Sequence, residues 1–407
     1  MSVSAIPTSI APASLWGRAG RLFVIFMGPS LGGLAPLALS TDQIALAAHF
    51  GGDDGTLIAR LLFSMPSLTI MLGAPLAGFL AERIGYRALL LASSLIYGIA
   101  GTAGLYIDGY WPLLISRAVL GFAAGGMMAM YMALAATYYE GDARARVIGF
   151  AVACSVMFGL LALLLGGILV DRFGWRGPFV LYLIGFVTFV IAWATIRGRI
   201  HVAGQSGSRV SVAETFRVIK RLWPVYLVLL TYSIGTFTPT AGGPFLLKAN
   251  GIDSAANQGL LLAVGAIPAF VTGSSYGYLS RRFGDYALLI VTGLLMGAGV
   301  ILLLLFHGQL PIVATLVLIN FGAGLKAPAV GTILMAEATE KTRGTVAGLN
   351  SSGIFLAQFL APMLLEFLGR PYGMKGAFLV IAAALLAAAS FVAWRGIGKK
   401  RLVVGAA

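Results

Sequence analysis

Apolar runs of about 20 residues recur along nearly all of the 407-residue chain, divided by short polar or glycine-containing gaps. A run of that length is what a helix needs to cross the hydrocarbon core of a bilayer. Backbone amides in lipid must pair within their own segment, so each run predicts a helix. The alternating strands of an outer-membrane barrel are not seen. Twelve spans are expected, at 22–47, 56–80, 88–107, 111–137, 146–169, 178–196, 222–246, 255–280, 286–306, 310–336, 345–367 and 374–394.

The gaps carry a second pattern. "GFLAERIGYRALL" at 78–90 returns as "GYLSRRFGDYALL" at 277–289, an offset of 199 with seven of thirteen positions identical. The same offset lays "ARARVIGF" (143–150) over "TRGTVAGL" (342–349), "GWRGPF" (174–179) over "GMKGAF" (373–378), and Phe122 and Gly125 over Phe321 and Gly324. Repeated matches at one offset indicate a duplicated six-helix unit. An even number of spans gives both copies the same orientation. Such parallel repeats characterise one class of transporters, with a substrate site near the midplane between the halves. The expected organisation is an N-terminal bundle (1–196), a polar linker (197–221) and a C-terminal bundle with a short tail (222–407).

Composition sharpens this. Hydrophobic residues make up 59% of the chain and charged ones 10%, against about 25% charged in soluble domains. The net charge of +14 is unevenly placed: with the N-terminus inside, 20 of the 28 Lys and Arg fall in cytoplasmic segments or, for Arg146, at the edge of one. That bias orients the protein with both termini cytoplasmic, and those groups are expected to meet anionic lipid heads. Nucleic acid is not an expected partner. No cleavable signal peptide is evident. Cys154 is the single cysteine, and His49, His201 and His307 lie near membrane edges or in a linker. No metal spacing, nucleotide-binding loop or catalytic constellation is present, so neither an enzyme nor a cofactor is expected.

The gap after span 2 holds Gly78, Glu82, Arg83, Gly85 and Arg87, in the order Gly, three residues, acid, base, any, Gly, any, base. This resembles the loop between helices 2 and 3 of the major facilitator superfamily, and the resemblance extends over the whole chain. It implies two six-helix bundles, alternating access and a protein that usually works alone. It also implies a cytoplasmic latch in which Glu82 faces the N-terminal end of helix 11. Arg282 and Gly284 belong to the second copy, where Arg281 replaces the acid and Tyr286 the last base. In physical terms Gly78 permits close helix approach and Gly85 a tight turn, while Arg83 and Arg87 suit carboxylates or lipid phosphates. Arg117, Gly121 and Gly125 in span 4 resemble a second family pattern, whose Arg is linked to proton coupling in drug:proton antiporters of twelve spans. A third departs from it. Gly166 and Gly167 are present, but the Gly-Pro pair expected before them is Ala162-Leu163.

Ionisable groups inside spans are functional candidates by default. Asp42 is the best acidic proton carrier, or the cap of a short helix. Arg60 either pairs with Asp42 or reaches outward to water. Arg117 binds an anion, controls a proton-carrying acid or ties helices together. Lys326 lies past the midplane in span 10, beside Pro328, and is expected to face the central cavity and bind an anionic group. Glu366 is expected at the interface. Tyr131, Phe237, Asn320 and Gln358 are further substrate-binding candidates. The resulting expectation is a proton-coupled exporter of amphiphilic small molecules in a bacterial inner membrane. A selective carrier of an organic anion, metabolite, metallophore or lysolipid is the alternative, and a non-transporting sensor or scaffold the second.

Overall fold

The computed structural model describes residues 15–52, 54–196, 212–306, 308–339 and 342–404, with side chains for all of these except 212–214 and 396–404. The helices are α1 (Leu15–Leu37), α2 (Gln43–Phe50), α3 (Gly55–Ile84), α4 (Tyr86–Gly101), α5 (Tyr110–Tyr138), α6 (Gly141–Phe173), α7 (Ile184–Thr195), α8 (Val212–Ala249), α9 (Ala255–Phe283), α10 (Asp285–Leu305), α11 (Gln309–Ala336) and α12 (Arg343–Val404). They make twelve passes. α1 and α2 form the first, broken at 38–42, and a 3-10 stretch, Gly174–Leu183, leads into α7. α12 contains two passes, separated at Gly373, whose φ is 68°. α8 begins well before the expected span at 222. The rest of the expected linker, 197–211, lies outside the described residues.

One bundle packs α1 on α5 and α6, α3 on α5, and α4 on α5 and α7. The other packs α8 on α12, α9 on α11, and α10 on α11 and α12. Small residues set these spacings. A Cβ on Gly125 of α5 would lie 2.8 Å from the Ala74 nitrogen of α3. Its repeat counterpart, Gly324 of α11, would drive a Cβ into the Ala269 carbonyl of α9. Buried tyrosine hydroxyls fasten the first pass: Tyr97 donates to the Leu31 carbonyl at 3.0 Å and Tyr182 to the Ala35 carbonyl at 2.7 Å. Two extensive contacts join the bundles, α3 against α12 and α6 against α9, and α2 touches α8 as well.

The loop glycines act as the sequence suggests. Gly85 and its counterpart Gly284 have φ of 87° and 80°, a region costly for any residue with a Cβ.

Candidate transport site

The two extensive bundle contacts are tight at one end only, the end that the charge bias predicts to face outward. On the outer side, a Cβ on Gly167 of α6 would overlap the Ala255 carbonyl of α9, and one on Gly259 of α9 would overlap the Leu163 carbonyl of α6. Arg60 of α3 bridges to Glu366 of α12, Nη1 to Oε2, at 3.0 Å. Arg370 of α12 reaches Asp54 at 2.8 Å and Glu366 at 3.1 Å. Asp171 of α6 accepts from the Ser254 hydroxyl at 2.7 Å and from the Ala255 and Ala256 amides at 2.9 and 3.0 Å. On the first pass Ser40 and Gln43 each donate to the Thr240 carbonyl of α8, at 2.7 and 3.1 Å.

The cytoplasmic ends of the same four helices are apart. Gly78 of α3, Gly149 of α6, Gly277 of α9 and Gly348 of α12 have no atom within 4 Å of a built Cβ, beyond their own helix backbone. In that orientation the molecule is closed outside and open inside.

That state corrects several contacts expected from sequence. Gly78 is not at a close helix approach. Glu82 is exposed and, among the described residues, takes part in no ion pair. Arg87 donates to the Ile196 carbonyl at the end of α7, at 2.7 Å, and pairs with no carboxylate among the described residues. Arg83 lies over its neighbour Phe79, 4.3 Å from the ring centroid. Arg282 lies 3.4 Å from the Tyr278 hydroxyl.

The intramembrane charges divide into paired and unpaired. Arg60 is 1% exposed and bound to Glu366, with the Phe245 ring 5.4 Å away. It neither pairs with Asp42 nor reaches outward, and Glu366 is its partner in the interior rather than a free interfacial group. Sequence reasoning missed this bridge and the Asp171 contact, because their partners lie about 300 and 84 positions away. The signal lay in the offset: Asp171 and Arg370 are repeat counterparts.

Asp42 is fully buried in the break between α1 and α2. It occupies the N-cap position of α2 but makes no side-chain capping bond, and neither carboxylate oxygen has a hydrogen-bond partner. Arg117 is also fully buried. It donates to the Ala100 and Gly101 carbonyls at the end of α4, at 2.6 and 2.8 Å. Phe179 and Tyr182 stack on it, at 4.8 and 5.0 Å. Asp42 and Arg117 form no salt bridge in this conformation. Tyr182 stands within electrostatic reach of both.

Lys326 is 4% exposed. Its Nζ lies 3.1 Å from both the Ser233 and Thr236 hydroxyls of α8, and 5.8 Å from the Phe237 ring centroid. No carboxylate pairs with it among the described residues. Thr236 and Phe237 are half-buried, so this cluster reaches the edge of the packed interior. Gln358 is buried on α12. Tyr131 is half-buried against Gly28 of α1, and Asn320 turns back to the Leu316 carbonyl at 2.9 Å. None of these three is hydrogen-bonded to Lys326, whose partners are Ser233 and Thr236.

The sequence profile of the Major Facilitator Superfamily matches residues 22–253 and 225–402. The chain belongs to that family. It is a multi-pass membrane transporter and not an enzyme. Among its relatives are proteins named multidrug resistance protein MdtG. That of Rahnella sp. (strain Y9602) is 27% identical over 96% of this chain and 97% of its own length. That of Salmonella arizonae is 27% identical over 99% of both. The fold matches a bacterial homologue of the human lysosomal transporter Spinster, with a TM-score of 0.76, 17% identity, and coverage of 93% of this chain and 97% of the other. It also matches a D-xylose–proton symporter, with a TM-score of 0.73, 16% identity, and coverage of 92% and 97%.

Proposed function

We propose that this transporter exports amphiphilic small molecules bearing an acidic group, in exchange for protons, from a bacterial inner membrane with both its termini in the cytoplasm. It works as a monomer. The observation that carries the reading is Lys326: a buried ammonium held by two hydroxyls and no carboxylate, beside an aromatic ring. Leaving a buried charge without a counter-ion is costly, and a bound anion removes that cost. Ser233 and Thr236 orient the ammonium, and Phe237 offers an apolar face to the rest of the substrate. The full-length relation to proteins named for multidrug resistance supports export of amphiphiles.

Asp42 carries the proton. An ionised carboxylate with no donor is disfavoured where Asp42 sits, whereas the neutral acid needs no counter-ion. Opening the outer side parts α6 from α9 and admits water to the break between α1 and α2, where the acid exchanges its proton. Arg117 shapes the end of α4 and, through Tyr182, the surroundings of the acid.

The test compares accumulation of cationic, neutral and anionic amphiphiles in efflux-deficient bacteria making the protein, Asp42→Asn or Lys326→Ala. Lowered accumulation of several anionic amphiphiles, lost in both variants, is expected. Export of cations that survives Lys326→Ala would sink the assignment of the acidic group. A single exported anion would favour a selective carrier, the reading that the missing Gly-Pro pair before Gly166 supports.

A further inference from the structure

A cavity of about 550 Å³ lies inside the C-terminal bundle, away from the contacts between the halves. Its walls come from the cytoplasmic ends of four passes: Leu222, Val225 and Val228 of α8, Tyr286 and Leu289 of α10, Ile333 of α11, and Phe391 and Val392 of α12. The interior is apolar. The rim is not: Arg221, Arg395 and Glu337 stand at the mouth with Trp394. Arg221 already pairs with Glu337 at 3.1 Å. Arg395 has no carboxylate among the described residues; it lies 5.4 Å from the Phe391 ring centroid and 6.0 Å from that of Trp223. Trp394 is 72% exposed and Trp223 51%, as suits aromatic side chains at a membrane–water interface. Beyond Arg395 the sequence adds Lys399, Lys400 and Arg401.

We infer that this cavity is a binding site for an anionic phospholipid of the cytoplasmic leaflet, one acyl chain filling the apolar interior and the phosphate resting on Arg395. The charge at the mouth selects the occupant. Two guanidiniums face one carboxylate, so an anionic head is attracted and a zwitterionic one gains little. The exposed Trp394 and Trp223 mark the mouth as a membrane–water interface, where lipid is the most abundant amphiphile. The bound lipid ties α12 to α8, with its phosphate beside the Arg221–Glu337 bridge that joins α8 to α11. It thereby braces the cytoplasmic end of the bundle that moves in alternating access. This site is independent of Lys326 and of the transported substrate.

The test is native mass spectrometry of the detergent-purified full-length protein, titrated with phosphatidylglycerol or with phosphatidylcholine of the same chains. Phosphatidylglycerol is expected to bind preferentially. Arg395→Gln should weaken it roughly fivefold, the effect of removing one charge near the surface, with phosphatidylcholine unaffected. Val228→Phe, which fills the interior, should weaken both lipids without altering charge. Melting temperatures in lipid-free detergent verify that each variant is folded. Glycerol phosphate, a head group without chains, should not compete. Equal retention of the two lipids by the native chain, or unchanged phosphatidylglycerol binding in both variants, overturns the proposal. Competition by glycerol phosphate at similar concentration overturns it too, since the site then holds only a phosphate.

Discussion

Asp171 and Arg370 stand 199 positions apart, the offset of the internal repeat, and each reaches across the cleft to the start of a helix in the other half. Asp171 accepts from Ser254, Ala255 and Ala256 at the N-terminus of α9. Arg370 donates to Asp54, just before α3. The duplication placed the same position at both outer seams, and the chemistry then diverged. One seam uses a carboxylate on a helix N-terminus, where the dipole favours an anion. The other uses a guanidinium on an acid. Further in, the counterparts of Arg60 and Glu366 are Gly259 and Gly167, so an ion pair at one seam replaces backbone-to-backbone packing at the other.

Asp171→Asn should loosen the outer closure. Asp171 lies just beyond the predicted span. Burial alone would raise its carboxyl pKa, but the Ser254 hydroxyl and the Ala256 and Ala255 amides outweigh that and hold it below the ordinary value. A depressed pKa means the contact contributes fully above the ordinary carboxylate range and is lost as pH falls through the depressed value. Between roughly pH 5 and 8 the native seam should therefore be insensitive to pH at this residue. The variant should shift the population towards outside-open by roughly threefold to tenfold, the range for a partly exposed charge-assisted contact. Distances between spin labels on the outer ends of α6 and α9 report this, and an unchanged distribution would refute it.

The Arg60–Glu366 bridge is buried, so Glu366→Gln should be worse than the double variant. Glu366→Gln strands the Arg60 guanidinium, whereas Arg60→Gln leaves Glu366 its second partner, Arg370 at 3.1 Å, and should cost less. Breaking a buried pair from one side costs about 3–5 kcal/mol, while removing both charges is often close to neutral. Thermal unfolding in detergent of Arg60→Gln, Glu366→Gln and the double variant forms the cycle. Additive losses would show that the two charges do not interact.

Much of this was legible from sequence. The apolar runs gave the passes, because lipid leaves the backbone no alternative to helix. The offset gave the two bundles, and Gly85 a tight turn that Gly284 repeats. The partners of Arg60, Glu366 and Asp171 were not legible, because tertiary pairing across the cleft leaves no local pattern. Nor was the state. Gly78 carries a signal for close packing that this inside-open form leaves unused. Lys326 was legible as an anomaly, a charge deep in span 10, but its hydroxyl partners on α8 were not.

The four open glycines bear on the opposite state. Gly78 and Gly277, and likewise Gly149 and Gly348, are repeat counterparts on the helices that form the two seams. Closing the cytoplasmic side should bring α3 to α12 and α6 to α9 there, as Gly167 and Gly259 do outside. Gly149→Leu should leave the inside-open form folded, since nothing lies within 4 Å of its Cβ position apart from its own helix backbone. It should also cut exchange by roughly tenfold or more by hindering closure. Gly167→Leu should do the reverse, forcing α6 off α9 and favouring the outside-open form. Labelling of cysteines introduced on each side of the cleft distinguishes the two. Equal labelling in both variants would remove the seams from the transport cycle.

Lys326 separates function from stability. Its ammonium is buried with two hydroxyls and no counter-ion, so exchanging it for an apolar chain of similar length removes an uncompensated charge. Lys326→Met should be neutral or stabilising by roughly 1–2 kcal/mol, seen as an equal or higher midpoint of thermal unfolding in detergent. The same variant should lose export of anionic amphiphiles by roughly tenfold or more, whereas Lys326→Arg, which keeps the charge in a wider head, should retain part of it. Ser233→Ala removes one of the two hydroxyls that orient the ammonium and should weaken substrate binding by a smaller factor. A destabilised Lys326→Met that still exports anions would make Lys326 a packing residue tied to α8 and leave the substrate to be held elsewhere.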